Sequence, residues 1–279
     1  MVNREINPET EIGKYWDGIG GDRWVSNIAR LDKMLAPTSK ILLTEVSKNP
    51  STNLLEVGCG AGDLAASISA KTANLTIDAL DISYKILVLA KKRIKNNTKI
   101  NLIHGDAQNY NFEKRFYDLV YSRFGVMFFN DPAAAFTNIN RSIKEKGKLV
   151  FLSWNTLEQN PWMDRPSQAA FTVLPEPEKQ RENSPGAFSL AKKEVIRTIL
   201  ISSGFRDICS RKHEINVNLG SLTQAVNFAT QLGPAATPFS EAKTSEKNEA
   251  KAAIRDELKK FKIGKNIVLP GSCWLTIAN

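Results

Sequence analysis

Residues 53–63 read N-L-L-E-V-G-C-G-A-G-D. Leu54, Leu55 and Val57 form a short apolar run of the kind that fills a buried parallel strand. Gly58, Gly60 and Gly62 follow at alternate positions, and Leu64, Ala65, Ile68 and Ser69 then fall at helical spacing behind Asp63. A strand, a glycine turn and a helix in that order bring backbone N–H groups and a helix N-terminus close to a ligand. The dinucleotide fingerprint G-x-G-x-x-G needs a third glycine at position 63, where this chain has Asp63. Glu56 lies two residues before the first glycine, so the loop carries acids on both sides. That arrangement suits a ligand with a cationic amino group and disfavours a diphosphate, and with it an NAD-dependent oxidoreductase. Cys59, inside the loop, reads as a small filler.

Outward from this stretch, strand and helix patterns alternate. Leu75–Ile82, L-T-I-D-A-L-D-I, is a second strand ending at Asp81, 19 residues beyond Gly62. An acid at the carboxyl end of the second strand can accept from both hydroxyls of a ribose; Asp78 competes but sits mid-strand. Ser83 can cap the helix over 84–95. Ile100–Ile103 is the third strand, and His104-Gly105-Asp106-Ala107 follows, which sets Asp106 on the same edge as Gly60 and Asp81. Asp118–Ser122 is the fourth strand, with an apolar, aromatic exit at Arg123-Phe124-Gly125-Val126-Met127-Phe128-Phe129 suited to a small-molecule pocket. Asp131-Pro132 opens a helix, Gly147 ends it, and Lys148–Ser153 is a fifth strand. Five alternations predict a doubly wound, mostly parallel sheet, with ligands at the carboxyl ends of its strands.

Residues 1–14 read as loosely structured. Tyr15, Trp16 and Trp24 then surround Gly18, Gly20 and Gly21. Trp24, Ile28, Leu31 and Leu35 predict a helix stopped by Pro37, and Ile41, Leu42, Glu45 and Val46 predict a second one up to Asn49-Pro50. These helices could cover a sheet edge, or bring the Trp16–Trp24 segment over a ligand. The expected organisation is residues 1–50 as an N-terminal helical cover, 51–153 as the binding core and 154–279 as the rest of the same domain. Two stretches there, 154–190 and 219–270, break the alternation and read as a cap over a substrate, or as surface decoration.

Composition bounds the class. The chain has 279 residues, with 42% hydrophobic and 24% charged, which is ordinary for a soluble globular protein. No apolar run is long enough to span a membrane, and the start does not resemble a signal peptide. Cys59, Cys209 and Cys273 form neither a metal spacing nor a disulfide framework, so a cytoplasmic setting is expected. No metal site is expected. The formal net charge of +9 raises a polyanionic partner. The densest basic run, Lys91-Lys92-Arg93-Ile94-Lys95, has no interleaved aromatic residues and reads as a solvated helix face rather than a nucleic-acid site.

The ordered set E-V-G-C-G-A-G, then Asp81, H-G-D-A, and F-Y-D-L-V-Y-S-R-F-G-V-M-F-F resembles the class I S-adenosylmethionine-dependent methyltransferases, closest to their small-molecule, ubiquinone-biosynthesis-like branch. The motifs cover residues 53–153, and W-D-G-I-G-G-D-R-W-V extends the likeness upstream. The resemblance implies a Rossmann-like sheet of seven strands with the last antiparallel; Phe205–Val217 and Ser272–Ala278 suit the final two. It implies Gly58, Gly60 and Gly62, with Cys59, against the methionine part of S-adenosylmethionine, and Glu56 below them. Asp81 and Ile82 would meet the ribose, Asp106 and Ala107 the adenine, and Ser122 and Arg123 the amino-acid end, with Trp16 and Trp24 as the cover. Phe124, Met127, Phe128 and Trp154 are the candidate substrate residues. A methyl group would pass to a small, partly apolar acceptor by in-line displacement, leaving S-adenosylhomocysteine.

His104 and Arg123 are the weak candidates for a catalytic group, although a strand-end histidine more often simply packs. Methylation of base amino groups usually comes with Asn/Asp-Pro-Pro-Tyr/Phe after the fourth strand, and this chain has Ser122-Arg123-Phe124-Gly125 there. An RNA or protein acceptor is one alternative reading, and a non-catalytic cofactor-binding regulator is another.

Overall fold

The computed structural model describes residues 10–178 and 184–279. The expectation for residues 1–9, and the part of the first insertion at 179–183, lie outside the described residues. A helix is already formed from Glu11.

One sheet organises the chain. Its strands are β1 (Asn53–Val57), β2 (Thr76–Asp81), β3 (Ile100–His104), β4 (Tyr117–Arg123), β5 (Ile143–Trp154), β6 (Cys209–Gly220), β7 (Lys262–Ile263) and β8 (Asn266–Ala278). The order is β3-β2-β1-β4-β5-β8-β6, with the two-residue β7 on β8. β1 to β5 are parallel to one another, and β8 runs antiparallel between β5 and β6. The predicted mostly parallel sheet with its last strand antiparallel is present; an eighth, minimal strand is added. The central strands are apolar on both faces because helices cover both: Leu54, Leu55, Ile77, Leu119, Val120, Leu149 and Val150 are buried.

The helices are α1 (Glu11–Asp17), α2 (Ile19–Val46), α3 (Asp63–Ser69), α4 (Tyr84–Ile94), α5 (Pro132–Ser142), α6 (Pro161–Phe171), α7 (Lys193–Ser202), α8 (Leu222–Ala229), α9 (Ala236–Glu241) and α10 (Thr244–Lys259). From β1 the chain moves outward through β2 to β3, then returns to β4 and moves the other way to β5. Right-handed crossovers then put α3 and α4 on one face and α5 on the other. α2 packs on α3 and α4, and α7 on α5. The reversal between β1 and β4 opens a crevice at the carboxyl ends of these two strands.

Pro37 does not stop the first helix. It lies inside α2, which runs unbroken for 28 residues. Buried Leu31, Met34, Leu35 and Leu42 lie on either side of it, so packing outweighs the one backbone bond a proline removes. The two insertions fold into helices that pack on one another, α10 on α6 and α8, and Asn27 of α2 donates to Gln231 Oε1 at 2.9 Å beyond α8. Among the described residues no helix is long and apolar enough to cross a membrane.

Candidate active site

The crevice is a cleft of about 730 Å³ including its open mouth, within the range of small-molecule sites. Gly58 and Gly60 form its floor, Asp81 and Ile82 one wall, and Gly105, Asp106, Ala107 and Gln108 the far end. Arg123, Phe124, Gly125, Phe128 and Phe129 form the opposite wall, and Ile12, Trp16 and Trp24 close over the top.

The three loop glycines serve three purposes. Gly58 has φ +69°, and a Cβ there would stand 2.7 Å from Cα of Gly125, so it lets the exits of β1 and β4 cross. Gly60 has φ +55°, and a Cβ there would meet only Trp24 Nε1 at 3.8 Å, which leaves its backbone open to the cleft. Gly62 precedes α3, and a Cβ would press on Ile94 at 3.0 Å, so it serves the packing of α3 on α4 and does not line the cleft.

Asp81 organises the floor. Its Oδ2 accepts from Gly60 N at 2.8 Å and its Oδ1 from Ser83 N at 2.9 Å. Burial pushes this carboxyl up, and the Ser83 and Gly60 amides pull it back. Each oxygen keeps a lone pair for a ligand. At the far end Asp106 accepts from Gln108 N at 2.9 Å on Oδ1 and from Gln108 Nε2 at 2.7 Å on Oδ2.

Arg123, the last residue of β4, lines the cleft. It makes a bidentate pair with Asp63, both contacts 2.9 Å, and also donates to Ser39 Oγ. It ties the end of β4 to the start of α3 and to α2. Among the described lining residues Arg123 is the one cationic side chain, and Asp63 already neutralises it. The aromatic cover is built edge to face: Trp16 meets Trp24 at 5.8 Å and Phe128 at 4.9 Å.

Several expected site residues lie elsewhere. Glu56 and Cys59 line a smaller cavity with Asp63, one that adjoins the cleft and shares Trp24, Gly58, Gly60 and Arg123 with it. Glu56 is 2% exposed and accepts from Tyr121 Oη at 3.0 Å. Burial, reinforced by the charge of Asp63, pushes its carboxyl up to about 8 against the opposing Arg123 and Tyr121. It therefore holds its proton near neutral pH in the free protein, which its sequence position did not foretell. Ser122 donates to Val57 O at 2.7 Å inside the sheet. Met127 is buried with its Sδ against Trp154 N, and Trp154 stacks behind Phe124 at 4.0 Å, so both support the wall without lining it. His104 is buried at the end of β3; its Nε2 pairs with Ile82 O at 3.0 Å and its ring faces Tyr84, outside the cleft. Among the described residues none of either insertion lines the cleft; Gly186 N and Ser189 Oγ instead brace its wall from behind, donating to Met127 O.

Gln108, Ile12 and Ile86 line the cleft without having been singled out in the sequence, whereas Gly125 and Phe129 belong to the exit expected to form a pocket. Gln108 alone carried a signal: a polar side chain two residues after an acid at a strand exit can fold back on it.

The donor set fits S-adenosylmethionine. Gly60 offers open backbone, two carboxylates with spare lone pairs stand at the β2 and β3 exits, and no free cation awaits a diphosphate among the described lining residues.

Residues 55–151 match a family model described as a methyltransferase domain. Malonyl-[acyl-carrier protein] O-methyltransferase 1 of Ilyobacter polytropus is 32% identical over 131 residues, 47% of this chain and 48% of that protein. Demethylmenaquinone methyltransferase of Thermotoga maritima is 37% identical over 111 residues, 40% of this chain and 46% of that protein. Each match thus spans about half the relative's length. Phosphoethanolamine N-methyltransferase 2 of Haemonchus contortus, solved in complex with S-adenosyl-L-methionine, superposes with a TM-score of 0.58 at 16% identity over 96% of this chain and 60% of that chain, a likeness of fold alone.

Proposed function

We propose that this protein is an S-adenosylmethionine-dependent methyltransferase acting on a small, partly apolar acceptor in the cytoplasm. The observation that carries this reading is the meeting of Gly60, Asp81 and Asp106 in one cleft opposite Phe124, Phe128 and Phe129. Asp81 and Ile82 would hold the ribose, Asp106 and the Ala107 amide the adenine, and Gly58 and Gly60 the methionine part. The bound cofactor supplies an already activated methyl group. The chain's work is then alignment and exclusion of water: Trp16 and Trp24 cover the donor, and the aromatic wall orients the acceptor. The two relatives act, by their names, on a malonyl-acyl-carrier-protein and on demethylmenaquinone, and these suggest the first acceptors to try here. Arg123 would position the loop through Asp63 rather than touch the reacting atoms.

Calorimetric titration with S-adenosylhomocysteine and with NAD tests this. S-adenosylhomocysteine at a hundredfold excess over its Kd should stabilise the fold by about 2.7 kcal/mol. That corresponds to a rise in Tm of about 5 °C for a chain of this size. Binding of NAD without S-adenosylhomocysteine would overturn the assignment.

A further inference from the structure

Gln108 holds the cleft's polar end with both its backbone and its side chain. Its backbone N and its side-chain Nε2 both donate to Asp106, one to each oxygen, at 2.9 and 2.7 Å. Its Oε1 in turn accepts from the backbone N of Asp131, at the start of α5. These two partners leave the amide one orientation. Turned over, it would set an oxygen against a carboxylate and an NH₂ against an N–H.

The turn itself does not depend on this side chain. Asn109 N and Tyr110 N donate to Asp106 O, and Asn138 Nδ2 donates to Ala107 O and Tyr110 O at 3.0 and 2.8 Å. The Gln108 side chain is thus not needed to hold the turn over 106–110; anchored on the Asp131 amide, it fixes the Asp106 carboxylate. Asp106 is 7% exposed and lines the cleft beside it.

We propose that Gln108 is a positioning residue that sets the purine selectivity of the site, by locking Asp106 so that its carboxylate presents acceptors to the six-position of the base. This rests on the cofactor reading above. A locked carboxylate accepts from the 6-amino group of adenine. It meets the 6-oxo group of hypoxanthine lone pair to lone pair, with no freedom to turn away. A polar group held in place rejects the wrong partner strongly because neither side can find a substitute bond. Released from Gln108, the carboxylate can rotate and admit water, so that affinity for the amino base falls and the penalty on the oxo base relaxes.

The experiment is calorimetric titration of the full chain with S-adenosylhomocysteine and with S-inosylhomocysteine, for wild type, Gln108→Ala and Gln108→Met. The Met variant keeps the length of the side chain and loses both amide contacts, and thermal denaturation checks that each variant is folded. The expected result is a loss of about tenfold in S-adenosylhomocysteine affinity. The preference for adenine over hypoxanthine should fall by a similar factor in both variants. Unchanged affinity, tighter binding, or an equal loss for both ligands that leaves the preference intact would overturn the role of Gln108 alone. A wild-type protein that binds neither ligand would overturn the cofactor reading and this inference together.

Discussion

At the scale of single residues, two aspartates three positions apart on β2 have separate work. Asp78 accepts from Tyr117 Oη at 2.6 Å and from Asn101 Nδ2 at 3.0 Å, tying β2 to β3 and β4 away from the cleft. Asp81 lines the cleft and shapes the glycine turn. Asp81→Asn should weaken S-adenosylhomocysteine binding by at least about tenfold in a folded protein. Asp78→Ala should leave affinity unchanged and cost about 1–3 kcal/mol of stability, because it strands the Tyr117 hydroxyl. Titration and urea denaturation of both variants check this; equal affinity for wild type and Asp81→Asn would remove Asp81 from the ribose site. Glu56 makes a pH-dependent prediction. Its folded pKa of about 8 lies above its ordinary value of 4.5, so the folded state holds a proton that the unfolded chain has lost. Stability from this residue is fully present below about pH 4.5 and drains away as pH rises towards 8, at up to about 1.4 kcal/mol per pH unit. Glu56→Gln, which keeps an acceptor for Tyr121, should flatten the urea-melt stability between pH 5 and 8 relative to wild type. A parallel pH slope in the two proteins would show that Glu56 is ionised throughout.

At the scale of elements, much of the core was legible because each signal was local. A strand, three glycines and a helix follow one another within residues 53–69, and Asp81 and Asp106 each stand at a strand exit. What was not legible depended on partners distant in sequence. Gly58 faces Gly125, Arg123 pairs with Asp63, and Glu56 meets Tyr121, and no spacing rule connects positions some sixty residues apart. Pro37 misled for the same reason: its cost is local, and the packing that outweighs it comes from the sheet. The cover element was half legible. Its aromatic residues were visible, but the close contacts that its glycines permit were not. A Cβ on Gly21 would stand 2.2 Å from Trp16 O, so α1 lies on α2 only because no side chain intervenes. Gly21→Ala should therefore push α1 off the cleft. The expected outcome is weaker S-adenosylhomocysteine binding and faster proteolysis within residues 11–17, with the sheet's stability lowered by no more than about 1–3 kcal/mol. Unaltered affinity in this variant would mean that α1 does not cover the ligand.

At the scale of the whole molecule, the question is whether the excess positive charge or the covered cleft decides what the protein meets. Two of the basic residues on α4 are spoken for: Lys85 pairs with Asp22 at 2.9 Å and Arg93 with Asp32 at 2.6 Å. This edge of α4 therefore fastens α2 across the cleft, and α2 reaches on to β4, β5 and β6. α1 packs chiefly on α2 and α4, touches Phe128 through Trp16, and buries little of its own surface, Gly13 alone being fully buried. A truncation that ends at Asp17 removes the cover and keeps the fastening helix. It should shift Tm by only a few degrees, because an exposed short helix contributes little to the core. S-adenosylhomocysteine affinity should fall at least about tenfold, since Ile12 and Trp16 no longer shield the cleft from water. Methyl transfer to the acceptor found for this site should fall further than affinity, because closure both aligns and dries the reacting groups. If the charge governed instead, as for an RNA acceptor, the truncated protein would keep its binding and turnover on RNA. Affinity would then drop steeply with added salt as counterions are released, and neutralising Lys91 and Lys92 would abolish it. Titrating wild type, the truncation and Lys91→Gln/Lys92→Gln with a short single-stranded RNA at 50 and 200 mM salt separates the cases. Submicromolar binding at 200 mM salt that survives truncation but not the lysine changes would replace the small-molecule reading.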